Sequence, residues 1–574
     1  KMANKTKTPS WLATLLLQIA GSIHYKKLVK ASKNPKEASA KTLRGILEYG
    51  KDTEYGKEHD FGYILSATDD KELYRRYVEK VAPSDYEDFR PYIDRHKNGA
   101  ENVLIPGKPL IYATTSGTTK EPKWIPITDK YLKNIYGRMT KVWLYNYIKN
   151  RPKVFYGKIL AIVGKAVEGY APDGTCFGSV SGVTRRDCPG FVKELYSNPS
   201  EVYGIKDYKA RYYTLMRMAI EEDISLIVTA NPSTVVEMQK NVDEFFDLYV
   251  EDIEKGTLNE SFNIEKEIRD AILPYLSPNP QRAKELREIK AKANGRPLPK
   301  HFWPNLQILN TWKCGNTSIY LDKFKDSFPQ TMLHQEFGYF SSECRFGLVM
   351  DETNYSTLFP HYHFYEFLGE EDIDKLNDAE AMKTAKFYQL HELEQGKRYC
   401  PFVTTYAGLY RYNMNDLLEV GTPFLNTPRV FLIQKINGIV TMTGEKLHES
   451  QFIEAVTQAA AETKKEVKFF IGFADLSISA YHFYFEFADQ NTSQAECDEF
   501  TKVVDQHLRK QNIEYVAKRD SFRVGDPIGH CLVENAFERF KAACIAKGAR
   551  DGQFKLNLLL QDEKRHEMFK TLVK

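Results

Sequence analysis

Apolar positions recur at helical spacing over the first hundred residues. Lys41–Tyr49 and Lys71–Lys80 read as helices, broken at Gly50 and at Pro83-Ser84. From Lys108 the period changes: Leu110–Ala113 is a short apolar strand, and Thr128 opens a new helix. Further strands are predicted at Lys158–Val163, Leu226–Val228, Leu306–Asn310 and Gly347–Met350, with helical stretches such as Ser233–Glu254 between some of them. Strands alternating with helices predict an α/β architecture with mainly parallel sheets flanked by helices.

Near Phe431–Glu445 the pattern shifts again. Apolar Phe431-Leu-Ile gives way to polar Gln434-Lys435 and then to the turn signal Asn437-Gly438. Beyond it the spacing predicts a helix over Glu449–Glu462 and strands near Val467–Phe473 and Tyr481–Phe487. Ser493-Gln-Ala-Glu496 is a capping box opening a helix towards Lys510, and a last helix is expected over Ile528–Ala546. The expected organisation is a large N-terminal domain, residues 1–434, and a small, mobile α+β C-terminal domain, residues 435–574.

At 574 residues the chain is long for one hydrophobic core, which agrees with that division. Hydrophobic residues at 42% and charged residues at 27% exclude a disordered or collagen-like chain. A net charge of +3 is too small to argue for a nucleic-acid partner, so any anion site must be built locally. The eight cysteines contain no CxxC and are too sparse for a disulfide scaffold, which points to a reducing cytoplasm. No apolar run reaches the roughly 18 residues of a membrane span. Trp11–Ala20 superficially resembles a signal peptide but lacks an Ala-x-Ala site and is interrupted by Thr14 and Gln18, so a buried or amphipathic first helix is expected there.

Four polar stretches carry candidate chemistry. In Tyr112–Thr128 a strand runs into Thr114–Lys120, nearly all Thr, Ser, Gly or Lys, with Lys123 beyond it. Small hydroxyl residues around a glycine let N–H and O–H groups converge on phosphate oxygens, although no Walker A pattern occurs. In Gly338–Gly347, Glu343 stands beside two serines and Tyr339, a set suited to Mg²⁺ on a nucleotide phosphate, since Mg²⁺ takes only one or two protein carboxylates. Gly408–Asp416 ends in a turn aspartate of the kind that accepts ribose hydroxyls. Gly552-Gln-Phe-Lys555 offers a lysine near the C-terminus. Each stretch alone also reads as an ordinary polar turn or solvated surface.

In this order and with these gaps, the four stretches resemble the GH3-family acyl acid–amido synthetases, one branch of the adenylate-forming enzymes, among which firefly luciferase and the acyl-CoA synthetases also stand. Ser116-Gly-Thr-Thr119 matches the family's phosphate loop, Tyr339-Phe-Ser-Ser-Glu343 its Tyr-x-Ser-Ser-Glu segment, Thr405–Tyr412 with Asp416 its ribose motif, and Gly552–Lys555 its C-terminal lysine motif. Thr53–His59, Trp303–Leu306 and Phe364–Phe367 agree too. The resemblance implies that Ser116, Gly117, Thr118, Thr119 and Lys123 meet ATP phosphates and that Tyr339, Ser341 and Ser342 line the nucleotide site. It further implies that Glu343 holds Mg²⁺, Asp416 the ribose, and that Lys555 is carried over the reacting centre. Three positions depart from the family: Asn415 stands where Gly is usual, Gln434 replaces a frequent Arg at the hinge, and Leu-Asn-Leu follows Lys555 in place of Pro-Arg.

The activity so implied is an ATP-dependent ligase, acting as a monomer. It adenylates a carboxylic acid and passes the acyl group to an amine, an amino acid being the expected acceptor. An acyl-adenylate enzyme with a CoA acceptor and a nucleotide-binding protein without turnover stand as alternatives. For the acyl carboxylate, Arg185-Arg186 is a candidate partner, with a solvated surface pair as the simpler reading.

Overall fold

The computed structural model describes residues 8–114, 123–314, 320–440, 442, 445, 447–546 and 556–574. Among these residues the strands form five sheets. Lys158–Ile162, Ile224–Thr229, Ile308–Thr311 and Leu333–Glu336 make a four-stranded sheet in which every neighbour is parallel. Its first two strands are mainly apolar runs, as burial on both faces favours, whereas Leu333–Glu336 carries His334, Gln335 and Glu336. The almost wholly buried helix Tyr208–Glu221 and the helix Ser233–Lys255 pack with it, closing a core around Tyr213, Tyr249 and Trp303.

Beside it lies a larger antiparallel sheet built from Gly347–Leu348 to Thr427–Lys435, which the sequence reading did not separate from the parallel one. Every neighbouring pair in it is antiparallel, although only some are joined by hairpins; Ser356–Leu358, for one, pairs with Thr427–Lys435 far along the chain. The two long members, Asp416–Phe424 and Thr427–Lys435, are joined by a two-residue turn with Leu425 at φ 54°. That register sets Asp416 directly opposite Lys435. N-terminal helices Pro35–Gly50 and Asp70–Lys80 pack on this sheet around Tyr77, Phe364 and Tyr410.

After Lys435 come the helix Glu449–Thr463, an antiparallel pair Val467–Asp475 and Ala480–Phe487, and the helix Gln494–Gln511, whose Ser493–Glu496 capping box is formed. One expectation fails here. Ile528–Cys531 is a strand parallel to His482–Phe485, and the helix begins only at Ala536. Gly529 lets this edge strand pack closely: a Cβ there would fall 2.0 Å from Thr501 Oγ1 on the Gln494–Gln511 helix. Among the described residues no helix is long and apolar enough to cross a membrane.

Candidate active site

Tyr339, Glu343, Tyr412, Asp416, Lys123 and Lys435 converge beyond the carboxyl ends of the parallel strands, where open α/β sheets bind ligands. Gly338, at φ 107°, turns the chain out of strand Leu333–Glu336. The Tyr339 ring then stacks on Phe346 at 4.4 Å and its hydroxyl donates to Asp416 Oδ2 at 2.6 Å. Ser341 Oγ accepts from the Glu343 amide at 3.3 Å, while Ser342 is half-buried.

The Thr405–Tyr412 segment is fixed from below. Gly408 takes φ 84°, and a Cβ there would lie 2.7 Å from Ile105 Cγ2. Arg411, buried at φ 44°, donates to Glu366 Oε2 at 3.0 Å and to the Val81 carbonyl at 2.9 Å. Such a buried pair holds one geometry because losing either partner strands a charge. Tyr412 is thereby aimed at Glu343, donating to Oε1 at 3.2 Å and accepting from Lys123 Nζ at 3.0 Å. Asn415 adopts φ 57°, so asparagine meets the left-handed turn that glycine would otherwise supply, and Asp416 follows it into the strand.

Two carboxylates and two ammonium groups therefore share the site. Glu343 is 8% exposed and Asp416 1%. Burial opposes ionisation of Glu343. The ammonium groups of Lys123, 3.8 Å from Oε1, and of Lys435, with the Ser341 hydroxyl, outweigh it and hold the carboxyl below its ordinary range. Lys435 Nζ lies 2.5 Å from Asp416 Oδ1. Desolvation works against that ammonium, and Asp416 and Glu343 together reverse it and raise its pKa. An ionised, buried carboxylate has the donor chemistry Mg²⁺ uses, oxygen only, with phosphate and water completing the shell.

Ser116, Gly117, Thr118 and Thr119 lie outside the described residues, as does Lys555. The structure brings together Lys123, Tyr339, Ser341, Ser342, Glu343 and Asp416. Arg185 and Arg186 are elsewhere engaged. Arg185 is buried over Tyr196 at 3.8 Å and donates to the Asn198 carbonyl at 2.7 Å, whereas Arg186 pairs with Asp187 at 2.7 Å. Gln434 lies near His448 Nδ1 (Nε2 at 3.3 Å) and accepts from the Ser450 amide at 3.3 Å, tying the end of its strand to the next helix.

Sequence reasoning missed Lys435 and Arg345 as site residues. Lys435 is legible once Leu425-Asn426 is read as a two-residue hairpin turn, since pairing then places it opposite Asp416. Arg345, two residues after Glu343, is buried, with its guanidinium 5.1 Å from the rings of Tyr136 and Trp143 and one bond to Thr140 Oγ1 at 2.9 Å. Trp143, Phe337, Phe340 and Trp312, all half-buried, line the adjoining wall in mutual contact.

Residues 24–333, 356–435 and 450–564 match the GH3 family N-terminal, central and C-terminal domains respectively. The chain belongs to the GH3 family. A 4-substituted benzoates-glutamate ligase, GH3.12 of Arabidopsis thaliana, is 24% identical, covering 96% of this chain and 97% of that protein. Indole-3-acetic acid-amido synthetase GH3.10 of the same plant is 24% identical over 91% of this chain and 92% of its own length. Among solved structures, AtGH3.15 acyl acid amido synthetase in complex with 2,4-DB superposes with a TM-score of 0.80 at 19% identity, over 96% of both chains. A 2-hydroxyisobutyryl-CoA ligase shares the fold at a TM-score of 0.52 and 11% identity, over 93% of this chain and 91% of its own.

Proposed function

We propose that this GH3-family protein is an acyl acid–amido synthetase that joins a carboxylic acid to an amino acid at the expense of ATP. A carboxylate is a poor acyl donor because its leaving group would be oxide. In the reaction a carboxylate oxygen attacks the α-phosphorus of ATP, the bond to the β-phosphate oxygen breaks, and pyrophosphate leaves. The amine nitrogen then attacks the acyl carbon, AMP leaves with the former carboxylate oxygen, and the nitrogen loses a proton to solvent.

The observation that carries the reading is the pairing of buried Glu343 and Asp416 with Lys123 and Lys435 at the carboxyl end of the parallel sheet. Both partners of the first step are anions, so the protein's task is to hold geometry and neutralise charge. Asp416, oriented by Tyr339 and Lys435, accepts the ribose hydroxyls, and Tyr339, Ser341 and Ser342 line the nucleotide. Ser116, Gly117, Thr118, Thr119 and Lys123 meet the phosphates. Glu343 would hold Mg²⁺, which when bound with the nucleotide supplies charge neutralisation on the phosphates. Residues 435–574 act as a lid that brings Lys555 over the reacting atoms, with Gln434 at its root.

Pyrophosphate–ATP exchange over a panel of carboxylic acids, crossed with amino acids and CoA as acceptors, tests this. Acid-dependent exchange with amide products supports it, thioester products replace the acceptor, and nucleotide binding without exchange refutes turnover.

A further inference from the structure

The first helix, Ser10–Lys33, has two faces that are cleanly divided. At about 100° per residue, its buried Ala13, Thr14, Leu17, Gly21, Leu28, Ala31 and Ser32 fall within about 100° of arc. Gly21 marks how closely that face is packed: a Cβ there would lie 2.3 Å from Tyr145 Cβ, on the helix Gly137–Asn150. The opposite arc is open to solvent, yet it is apolar. Trp11 is 60% exposed, Ile19 52% and Ile23 53%, with Leu15 and Leu16 also exposed. A helix apolar on its packed side and also on its open side has one partner too few.

The same open arc continues into Lys26, Lys27, Lys30 and Lys33, all exposed. Residues 10–33 contain no Asp or Glu, and among the described residues those four lysines form no ion pair. The neighbouring helix adds cations, with Lys149 Nζ 5.4 Å from the Tyr25 ring. His24 senses this field: burial first, then Lys141, Lys27 and Arg138, lower its pKa to about 4. Just before the helix, Glu194 accepts from the Thr8 amide at 3.0 Å.

We infer that this helix docks the enzyme on an anionic lipid surface. Its apolar first turns enter the headgroup boundary with Trp11 as anchor, and its lysines meet lipid phosphates. An apolar stripe ending in unpaired lysines matches a surface that is greasy within and anionic at its edge, whereas a second copy of this chain would set lysine against lysine. The helix is attached without spanning, in agreement with its one packed face. This inference is independent of the catalytic reading.

Sedimentation of the full chain with extruded vesicles tests it. Vesicles of phosphatidylcholine containing about 30% phosphatidylserine should retain at least about tenfold more protein than phosphatidylcholine alone, and added salt should release it. Lys26→Glu/Lys27→Glu/Lys30→Glu and, separately, Leu15→Ser/Ile19→Ser/Ile23→Ser should each abolish retention while leaving acid-dependent exchange unchanged. Equal retention on both vesicle types, retention that survives both triple substitutions, or light scattering that shows a dimer dispersed by the serine substitutions would each overturn the inference. The lysine substitutions lie wholly on the surface, so they decide the matter even if the serine variant folds poorly.

Discussion

Tyr339 donates its phenolic hydrogen to Asp416 Oδ2 at 2.6 Å, joining residues 77 apart in sequence. A bond to a charged group contributes about 1.5–3 kcal/mol net. Tyr339→Phe keeps the ring stacked on Phe346 and removes only that bond. The Michaelis constant for ATP should rise about tenfold or more with little change in kcat. Asp416→Ala should go further and erase the enzyme's preference for ATP over 2′-deoxy-ATP; a preference that survives would take the ribose away from Asp416.

Lys435 neutralises two buried carboxylates at once. In the wild type Glu343 is held below its ordinary pKa against burial by Lys123 and Lys435. Lys435→Met removes one of those cations, so Glu343 binds its proton more tightly and needs a higher pH to ionise. The acid limb of the kcat/KM profile should move to higher pH, and Lys435→Arg should largely restore it. An unmoved limb would show that Glu343 ionisation does not govern the rate.

Asn415 sits at φ 57° immediately before Asp416. Asn415→Gly meets the same backbone without strain, whereas Asn415→Val forces a β-branched residue into the left-handed region at about 1–2 kcal/mol. Thermal melts and ATP affinity should be near wild type for glycine and reduced for valine. Equal behaviour of the two would mean that the turn does not position Asp416.

Lys555→Ala should lower adenylation by at least about a hundredfold while leaving ATP binding nearly intact, because a donor aimed at charge developing in the transition state is felt there and not in the ground state. Single-turnover adenylate formation beside equilibrium nucleotide binding checks it. Equal rates remove Lys555 from the mechanism.

His482 Nδ1 lies 2.8 Å from His530 Nε2, and His566 Nε2 lies 3.0 Å from the Tyr484 hydroxyl. Burial first, then His482 and Lys570, bring His530 and His566 down from 6.5 to about 4, with Asp498, Asp475 and Glu567 opposing. Both bind fewer protons folded than unfolded across that window. Their contribution is thus whole above pH 6.5 and lost as the pH falls towards about 4. Melting temperature should drop over this range, and less steeply in His530→Gln/His566→Gln.

Much of the site is legible in the sequence. The polar stretches around Glu343 and Asp416 meet, as the family resemblance implied, and Asn415 makes the turn its residue type allows. Local pattern found three of the four parallel strands by their apolar residues and missed the polar Leu333–Glu336, while Gly347–Met350, read beside them, pairs in the antiparallel sheet. It misread Ile528–Cys531, whose strand depends on a partner 46 residues earlier and on the missing side chain of Gly529. Lys435 and Arg345 were passed over for the same cause: a cation's task is set by what faces it, and Asp416 and Trp143 face them only through tertiary pairing.

Oxygen tracing tests adenylation itself most directly. When the acid is supplied with both carboxylate oxygens labelled as ¹⁸O, attack on the α-phosphorus predicts AMP carrying one labelled oxygen for each amide formed. Label in inorganic phosphate, or amide formed with unlabelled AMP, would contradict the account.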